Sequence, residues 1–128
     1  SYKFIKIDSH LQGLDQLKYD KKYLVICSSL KDAMCLKSFD FGLEVVAPDS
    51  ENTIIKPYIM SNFQHKYKKV LSLLDNDEAG HTAMLKYKDY FDVTPIYIKS
   101  EKDISDAVAK YGANAVRPKL FDLIKNVI

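Results

Sequence analysis

The stretch LLDNDEAG, Leu73 to Gly80, places two aspartates one residue apart directly behind a run of apolar residues. The run has the composition of a buried strand, and a glycine follows shortly after the second aspartate. Neighbouring carboxylates repel each other, so this arrangement costs free energy unless a cation or a set of hydrogen-bond donors compensates for it. The sequence therefore predicts a compensating partner at the point where the strand ends.

The chain has 128 residues, enough to bury a core without disulfide or metal cross-links, and we expect a single domain. Apolar residues make up 47% and charged residues 28%, as in ordinary globular proteins. The sequence contains no apolar run of membrane-spanning length and no signal-peptide core, which predicts a cytoplasmic protein without a membrane partner. Cys27 and Cys35 form no Cys-x-x-Cys pair, so reduced thiols are expected. The abrupt ends suggest a domain taken from a longer protein.

Short β-branched or apolar runs alternate with segments of helical period between Tyr23 and Ile98. The predicted strands are Tyr23–Cys27, Leu43–Ala47, Val70–Leu74 and Thr94–Ile98. The predicted helices between them are Lys31–Phe39, Pro57–Tyr67 and Glu78–Tyr90. This alternation predicts an α/β fold, a Rossmann-like, four-stranded and mainly parallel sheet flanked by helices. Right-handed crossovers bring the carboxyl ends of parallel strands to one edge of the sheet, where we expect the functional groups.

The parts of the chain outside this alternation are predicted separately. Residues 1–22 are expected to form an N-terminal extension that packs on a core of residues 23–128. Within the extension, Lys3–Ile7 has the pattern of an additional edge strand, and Leu11–Leu17 that of a short helix or turn. A final helix is predicted to begin near Pro118 and to direct four side chains inward, those of Leu120, Phe121, Leu123 and Ile124.

Asp75 and Asp77 follow the third predicted strand, and Gly80 allows the next helix to pack closely on that strand. Mg²⁺ usually takes one or two protein carboxylates, with water and phosphate oxygens as its other ligands, so a D-x-D suits it. Alternatively, one aspartate caps the helix and the other interacts with the helix dipole. A helix-loop-helix calcium site is excluded because Ala79 and Lys86 occupy two of its ligand positions.

Two other acidic segments have a structural explanation. In SSLKD, Ser29 is a candidate helix N-cap with Asp32 three residues later, close to a capping box. In KDISD, Asp103 or Ser105 is a candidate cap for a helix that begins near Asp106. These segments follow the first and last predicted strands, so the topology places them at the same edge as the D-x-D.

Lysines alternate with tyrosines in three segments, Lys18–Tyr23, His65–Lys69 and Lys86–Phe91. Such a mixture can contact phosphates and stack on bases. It is also explained as a solvated face on which lysine stems lie over aromatic rings. The net charge of +2 gives no separate support for nucleic-acid binding.

The order of these motifs resembles the TOPRIM domain, the metal-binding module of bacterial-type primases, topoisomerases and some nucleases. That family has an E-G-x-x-D-A pattern after its first strand and a D-x-D-x-x-G after its third, and its primases have a K-D-x-x-D after the last. The second pattern is intact at Asp75–Gly80 and the third at Lys102–Asp106, while Asp32 and Ala33 match the end of the first. The resemblance covers roughly residues 23–112.

The chain departs from the family where Ser28 and Ser29 replace the glutamate and glycine of the first pattern. The segment SLKDAMCL, Ser29 to Leu36, is similar to phage-type primases in which that glutamate is also replaced. The family glutamate acts as an acid, a base or a metal-site residue, and serine supplies none of these functions. We therefore hypothesise that Glu51, in the loop after the second strand, supplies the missing catalytic carboxylate.

The resemblance implies RNA primer synthesis by metal-dependent nucleotidyl transfer, with single-stranded DNA as template and nucleoside triphosphates as substrates. It implies Asp75 and Asp77 as catalytic residues, a Mg²⁺ or Mn²⁺ site formed by these two and Asp103, and Asp106 nearby. Lys31 and Lys102 are then candidates to contact phosphates. The remaining candidate nucleic-acid ligands are Lys66, Lys68 and Lys69.

The resemblance also implies partners and a cellular location. Flanking domains or a replicative helicase are expected partners, in the cytoplasm of a bacterial or phage-infected cell.

Two alternative functions stay open at this point. One is nuclease chemistry at the same metal site, and the other is a non-catalytic module that binds nucleic acid or protein.

Overall fold

The structure is a computed structural model that describes residues 11–12, 21–48, 54–99 and 101–128. Its strands are β1 (Leu11–Gln12), β2 (Tyr23–Cys27), β3 (Leu43–Pro48), β4 (Lys69–Leu73) and β5 (Thr94–Pro95). Its helices are α1 (Leu30–Ser38), α2 (Pro57–Lys66), α3 (Glu78–Phe91), α4 (Ile104–Tyr111) and α5 (Ala113–Lys125). Within these ranges no helix has both the length and the apolar character needed to cross a membrane.

The strands form one sheet in the order β1-β3-β2-β4-β5, in which β2, β3, β4 and β5 are parallel and β1 is antiparallel to β3. The central strands β2 and β4 pair from Tyr23 opposite Lys69 to Cys27 opposite Leu73. The chain leaves β2 toward β3 on one side, whereas β4 lies on the other side. The carboxyl ends of β2 and β4 therefore flank the crevice where the direction of winding changes.

Both faces of the sheet are buried, which confirms the predicted α/β class. Leu24 and Ile26 of β2 pack on α2 and α3 in one core, whereas Val25 and Cys27 pack on α1, α4 and α5 in the other. Strand side chains alternate between faces, and a strand covered on both sides is apolar throughout. The four parallel strands begin within one residue of their predicted starts.

The N-terminal edge strand lies at a different place in the sequence from the one predicted. Leu11 and Gln12 pair with Pro48 and Ala47 as a short strand, although Leu11–Leu17 had the pattern of a helix or turn. A two-residue strand has no periodicity to detect, and it forms because β3 offers a free edge. The predicted strand Lys3–Ile7 and the rest of that segment lie outside the described residues, so the division at residue 22 stays a prediction.

The two C-terminal elements also differ. Strand β5 ends at Pro95 rather than Ile98, although the N–H of Ile96 still donates to the carbonyl of Ser72 at 2.7 Å. Helix α5 begins at Ala113 and contains Pro118 in its interior, so the prediction of a start near Pro118 was wrong. Leu120 and Ile124 are buried as predicted and Leu123 is partly buried, but Phe121 is 44% exposed.

Candidate metal centre at the carboxyl edge of the sheet

Three aspartates meet at the carboxyl edge of the sheet. Asp75 follows β4, Asp32 lies in the first turn of α1 after β2, and Asp103 precedes α4. One carboxylate oxygen from each lies within 4.8 Å of the other two. Asp32 and Asp75 are buried and Asp103 is partly buried, so their mutual repulsion is only weakly screened by water.

Asp75 is held by its backbone and not by its side chain. Its N–H donates a 2.7 Å hydrogen bond to Oγ of Ser28, the residue that follows β2, and both groups are buried. Its Oδ1 is inaccessible to water and accepts no hydrogen bond from any residue that the structure describes. An unpaired buried carboxylate oxygen is costly, so this atom points to a cation as its partner.

Asp32 is surrounded by hydrogen-bond donors. Its Oδ1 accepts from the N–H of Ser105 at 3.2 Å and from Oγ of Ser105 at 2.8 Å, and its Oδ2 accepts from Oγ of Ser29 at 3.1 Å. Burial raises the pKa of Asp32 above its usual value and the charge of Asp103 adds to this effect, whereas the serine donors lower the pKa. Each carboxylate oxygen has two lone-pair directions, so Asp32 keeps capacity for a metal ligand bond.

Asp103 is the N-cap of α4, and its Oδ1 accepts a 2.7 Å hydrogen bond from the N–H of Asp106. The cap fixes the position of the side chain and leaves its second oxygen without a capping role. Of the two caps considered for this helix, Asp103 is confirmed, and Ser105 instead binds Asp32. Ser29 is confirmed as the cap of α1, since its Oγ accepts from the N–H of Asp32 at 3.2 Å.

The donor set fits a hard divalent cation. It consists of carboxylate oxygens alone, includes a buried oxygen that has no donor among the described residues, and lies at the carboxyl edge of the parallel sheet. Asp32, Asp75 and Asp103 are therefore the residues that could hold Mg²⁺ or a similar ion. The chemistry of the site does not by itself decide which ion binds.

Comparison with known proteins identifies the architecture. No protein-family model matches the sequence, and no curated protein matches it significantly. Solved structures do match. The primase of Aquifex aeolicus, described with its zinc-binding and RNA polymerase domains, is 24% identical with a TM-score of 0.71 over 95% of this chain. The primase fragment of the bacteriophage T7 primase-helicase is 16% identical with a TM-score of 0.67 over 86%. The DnaG primase catalytic domain bound to single-stranded DNA is 18% identical with a TM-score of 0.63 over 89%.

The chain has a TOPRIM fold resembling that of DNA primases. It spans 30%, 47% and 41% of the lengths of these three chains. At such low identities the likeness concerns the fold, so the activity of those proteins is not transferred by the comparison.

Asp77, the second aspartate of the TOPRIM D-x-D, has a different setting from Asp75. It is the N-cap of α3, where its Oδ1 accepts a 2.7 Å hydrogen bond from the N–H of Gly80. This is the capping function considered as an alternative for one of the two aspartates. Asp77 is partly buried and does not belong to the three-carboxylate cluster, so its metal-binding and catalytic roles stay predictions.

Gly80 has the packing role expected of it. An ideal Cβ at this position would overlap the backbone carbonyl oxygen of Asp75 and would lie 2.9 Å from its carbonyl carbon. Only a residue without a side chain allows α3 to approach the end of β4 this closely. The glycine of the motif thus allows α3 to pack directly against the backbone of its first aspartate.

The predicted lysines lie at opposite edges of the TOPRIM sheet. Lys31 and Lys102 are exposed and belong to the segments that carry Asp32 and Asp103. Lys66, Lys68 and Lys69 lie at the amino end of β4, and a strand rises about 3.3 Å per residue, so Lys69 is on the order of 20 Å from Asp75. Nζ of Lys69 donates to the carbonyl of Val127 at 2.5 Å. Glu51 lies outside the described residues, so its catalytic role stays a prediction.

Sequence reasoning missed three residues of the site. Asp32 was matched to the end of the first TOPRIM pattern and its segment was placed at this edge of the sheet, but it was not included among the predicted metal ligands. Ser28 was seen as a missing glutamate and not as a buried hydrogen-bond acceptor. Ser105 was considered only as a cap. The contacts of both serines join segments far apart in the chain, which no local pattern reveals.

Proposed function

We propose that this TOPRIM domain carries out metal-dependent nucleotidyl transfer and serves RNA primer synthesis in DNA replication as part of a primase. The observation that carries the proposal is the buried Oδ1 of Asp75, which has no hydrogen-bond partner among the described residues and lies within the three-carboxylate cluster, at the edge where parallel α/β sheets bind ligands. The likeness in fold to several primases supports it.

The residues that would hold the ion are Asp32, Asp75 and Asp103, with Asp77 as a further candidate from the sequence. The chemistry that a bound Mg²⁺ or Mn²⁺ supplies in such a site is positive charge, which neutralises the phosphate oxygens of an incoming nucleoside triphosphate. Nucleotidyl transfer depends mainly on alignment and charge stabilisation, with little covalent chemistry by the protein. A preorganised carboxylate cluster is the contribution this requires.

The surrounding residues of the chain supply rigidity and charge. Ser28 fixes the backbone of Asp75, and Ser105 fixes the side chain of Asp32. Lys31 and Lys102 would bring positive charge to phosphates at the same edge. We retain Glu51 as the proposed acid or base, because the serine at position 28 has no proton-transfer function at neutral pH.

The proposed partners are single-stranded DNA and nucleoside triphosphates, with a replicative helicase or flanking domains of a longer protein as further candidates. Lys66, Lys68 and Lys69 would contact the template backbone away from the metal. The proposed location is the cytoplasm of a bacterial or phage-infected cell, where such templates occur.

One observation favours a second function, a TOPRIM module that binds nucleic acid without catalysis. Ser28 stands where the family has a glutamate, and its Oγ is committed to the N–H of Asp75. In such a module the chain would keep a cation site but would lack a residue for proton transfer at position 28. Nuclease activity at the same site would instead require a water molecule as nucleophile.

The deciding experiment incubates the full-length natural protein with single-stranded DNA, ribonucleoside triphosphates and Mg²⁺ or Mn²⁺. Template-dependent incorporation that is lost in Asp75→Asn and kept in Asp89→Asn supports primer synthesis. Asp89 is an exposed aspartate of α3 and serves as the matched control. Metal-dependent cleavage without incorporation would indicate a nuclease, and DNA binding without either reaction would indicate the non-catalytic module.

A further inference from the structure

Asn76, between the two aspartates of the D-x-D, connects two loops at the carboxyl edge. Its backbone N–H donates to the carbonyl of Lys102 at 2.5 Å, and its side-chain Nδ2 donates to the carbonyl of Glu101 at 3.1 Å. Both acceptors directly precede Asp103 in the chain. The residue after one metal-ligand candidate therefore holds the segment that leads to another.

The amide of Asn76 is held in one orientation. Its Oδ1 lies 2.9 Å from Nε2 of His81, in the first turns of α3, so Nδ2 faces the 101–102 segment. The His81 ring packs edge-on against Tyr97 at a centroid distance of 5.8 Å. The Asn76 Oδ1 accepts from His81, and the Asn76 Nδ2 donates to the carbonyl of Glu101. A flipped amide would exchange these two atoms and lose both hydrogen bonds.

This connection matters because of the order of the strands. Asp75 follows the central strand β4, whereas Asp103 follows the edge strand β5 and the irregular segment after it. No ladder of strand hydrogen bonds fixes residues 101–103 relative to Asp75 in the described chain. The contacts of Asn76 supply that link from β4, and the contact of Ser105 with Asp32 supplies one from α1.

We infer that Asn76 is a positioning residue that holds Asp103 against Asp75 and so sets how much Asp103 contributes to cation binding. The inference rests on the proposed metal site and goes beyond it, because the motif pattern assigns no function to the residue between the two aspartates. Asn76 itself does not belong to the carboxylate cluster and acts through the 101–103 segment.

A first test needs no metal. Amide hydrogen exchange of the metal-free chain is compared between the native protein and Asn76→Ala. We expect faster exchange from Lys102 to Ser105 in the variant and unchanged exchange in β2 and α2, because only one loop contact is removed. Equal exchange across residues 101–105 in both proteins would overturn the inference.

The second test is a double-mutant cycle on Mg²⁺ affinity, followed by amide chemical shifts. Asn76→Ala should weaken binding about 2- to 12-fold, the effect of one hydrogen bond, and should have no effect when Asp103→Asn is already present. Asn62→Ala, an exposed asparagine of α2, is the matched control and should bind as the native chain does. A full effect of Asn76→Ala in the Asp103→Asn background would show that Asn76 does not act through Asp103.

A further variant covers the case in which Asn76→Ala disturbs folding. His81→Phe keeps a ring against Tyr97 but removes the hydrogen bond that orients the amide, and it should weaken Mg²⁺ binding in the same direction by a smaller factor. Native affinity in both variants overturns this inference alone. A native chain that binds no Mg²⁺ at all would instead overturn the proposed function.

Discussion

The backbone N–H of Asp75 donates to Oγ of Ser28 across the ends of β4 and β2, at 2.7 Å and out of contact with water. The two strands already pair along their length, so this bond continues their contact beyond the ladder. It ties the first aspartate of the motif to the carboxyl end of β2, the middle strand of the sheet. Ser28, which resembles a lost catalytic position when only the sequence is considered, therefore has a structural role.

Replacing Ser28 by alanine leaves the buried N–H of Asp75 without an acceptor. We expect Ser28→Ala to lower the free energy of unfolding by about 1–3 kcal/mol in urea denaturation, and to weaken Mg²⁺ binding. Ser61→Ala, at an exposed position of α2, is the matched control and should change neither quantity. Native stability of Ser28→Ala would show that the hydrogen bond is not important for the fold.

Asp32→Asn tests the electrostatic strain of the metal-free site. Burial raises the pKa of Asp32 in the folded state, so its protonated form is favoured there and its contribution to stability is lost as pH rises through that pKa. Without metal, we expect the asparagine variant to be more stable than the native chain at neutral pH and the difference to shrink as pH falls toward the ordinary range of an aspartate. Thermal unfolding from pH 4 to 8 measures this.

The same variant should bind Mg²⁺ far more weakly, so stability and ion binding change in opposite directions. Asp89→Asn, at an exposed site, should alter neither. A difference in stability that stays constant across the pH range would contradict the assignment of the effect to ionisation of Asp32.

Gly80→Ala tests the close approach of α3 to the end of β4. Alanine favours a helix over glycine by about 1 kcal/mol, yet its methyl group would overlap the carbonyl of Asp75. We expect a net loss of about 1–3 kcal/mol in unfolding free energy, together with weaker Mg²⁺ binding. A variant as stable as the native chain would show that the helix can shift at little cost.

Lys66 and Lys68 test whether nucleic acid contacts the amino edge of the sheet. If both contact phosphates of single-stranded DNA, the double variant Lys66→Ala/Lys68→Ala should bind less tightly, and its logarithmic salt dependence should fall by about 0.7 for each lost contact. Lys119→Ala/Lys125→Ala, at exposed positions of α5 outside the three lysine-tyrosine segments, is the control pair. An unchanged salt dependence would remove these lysines from the template path.

The parallel core was predictable because its signals are local. Tyr23–Cys27 was predicted to the residue, since a strand buried on both faces is a continuous apolar run with polar ends. Helix α5 was misplaced because Pro118 is typical of a first turn, whereas packing of Leu120 and Ile124 on the sheet keeps the helix continuous through it. Tertiary contacts decided that boundary.

Part of the site was also predictable from local sequence signals. The edge of the sheet and Asp75 follow from strand order and from the D-x-D spacing. Ser105, far along the chain, orients the Asp32 carboxylate together with Ser29, whereas Asp77 caps the helix after β4 and lies outside the cluster. Contacts between distant segments carry no signature in a single sequence.

The most direct measurement is a Mg²⁺ titration of the native chain, Asp75→Asn and Asp89→Asn, followed by amide chemical shifts. We expect saturable shifts near Ser28, Asp32, Asp75 and Asp103 in the native chain and in Asp89→Asn, and their loss in Asp75→Asn. Identical titrations of all three proteins, or no saturation in the native chain, would show that the clustered aspartates are not a cation site.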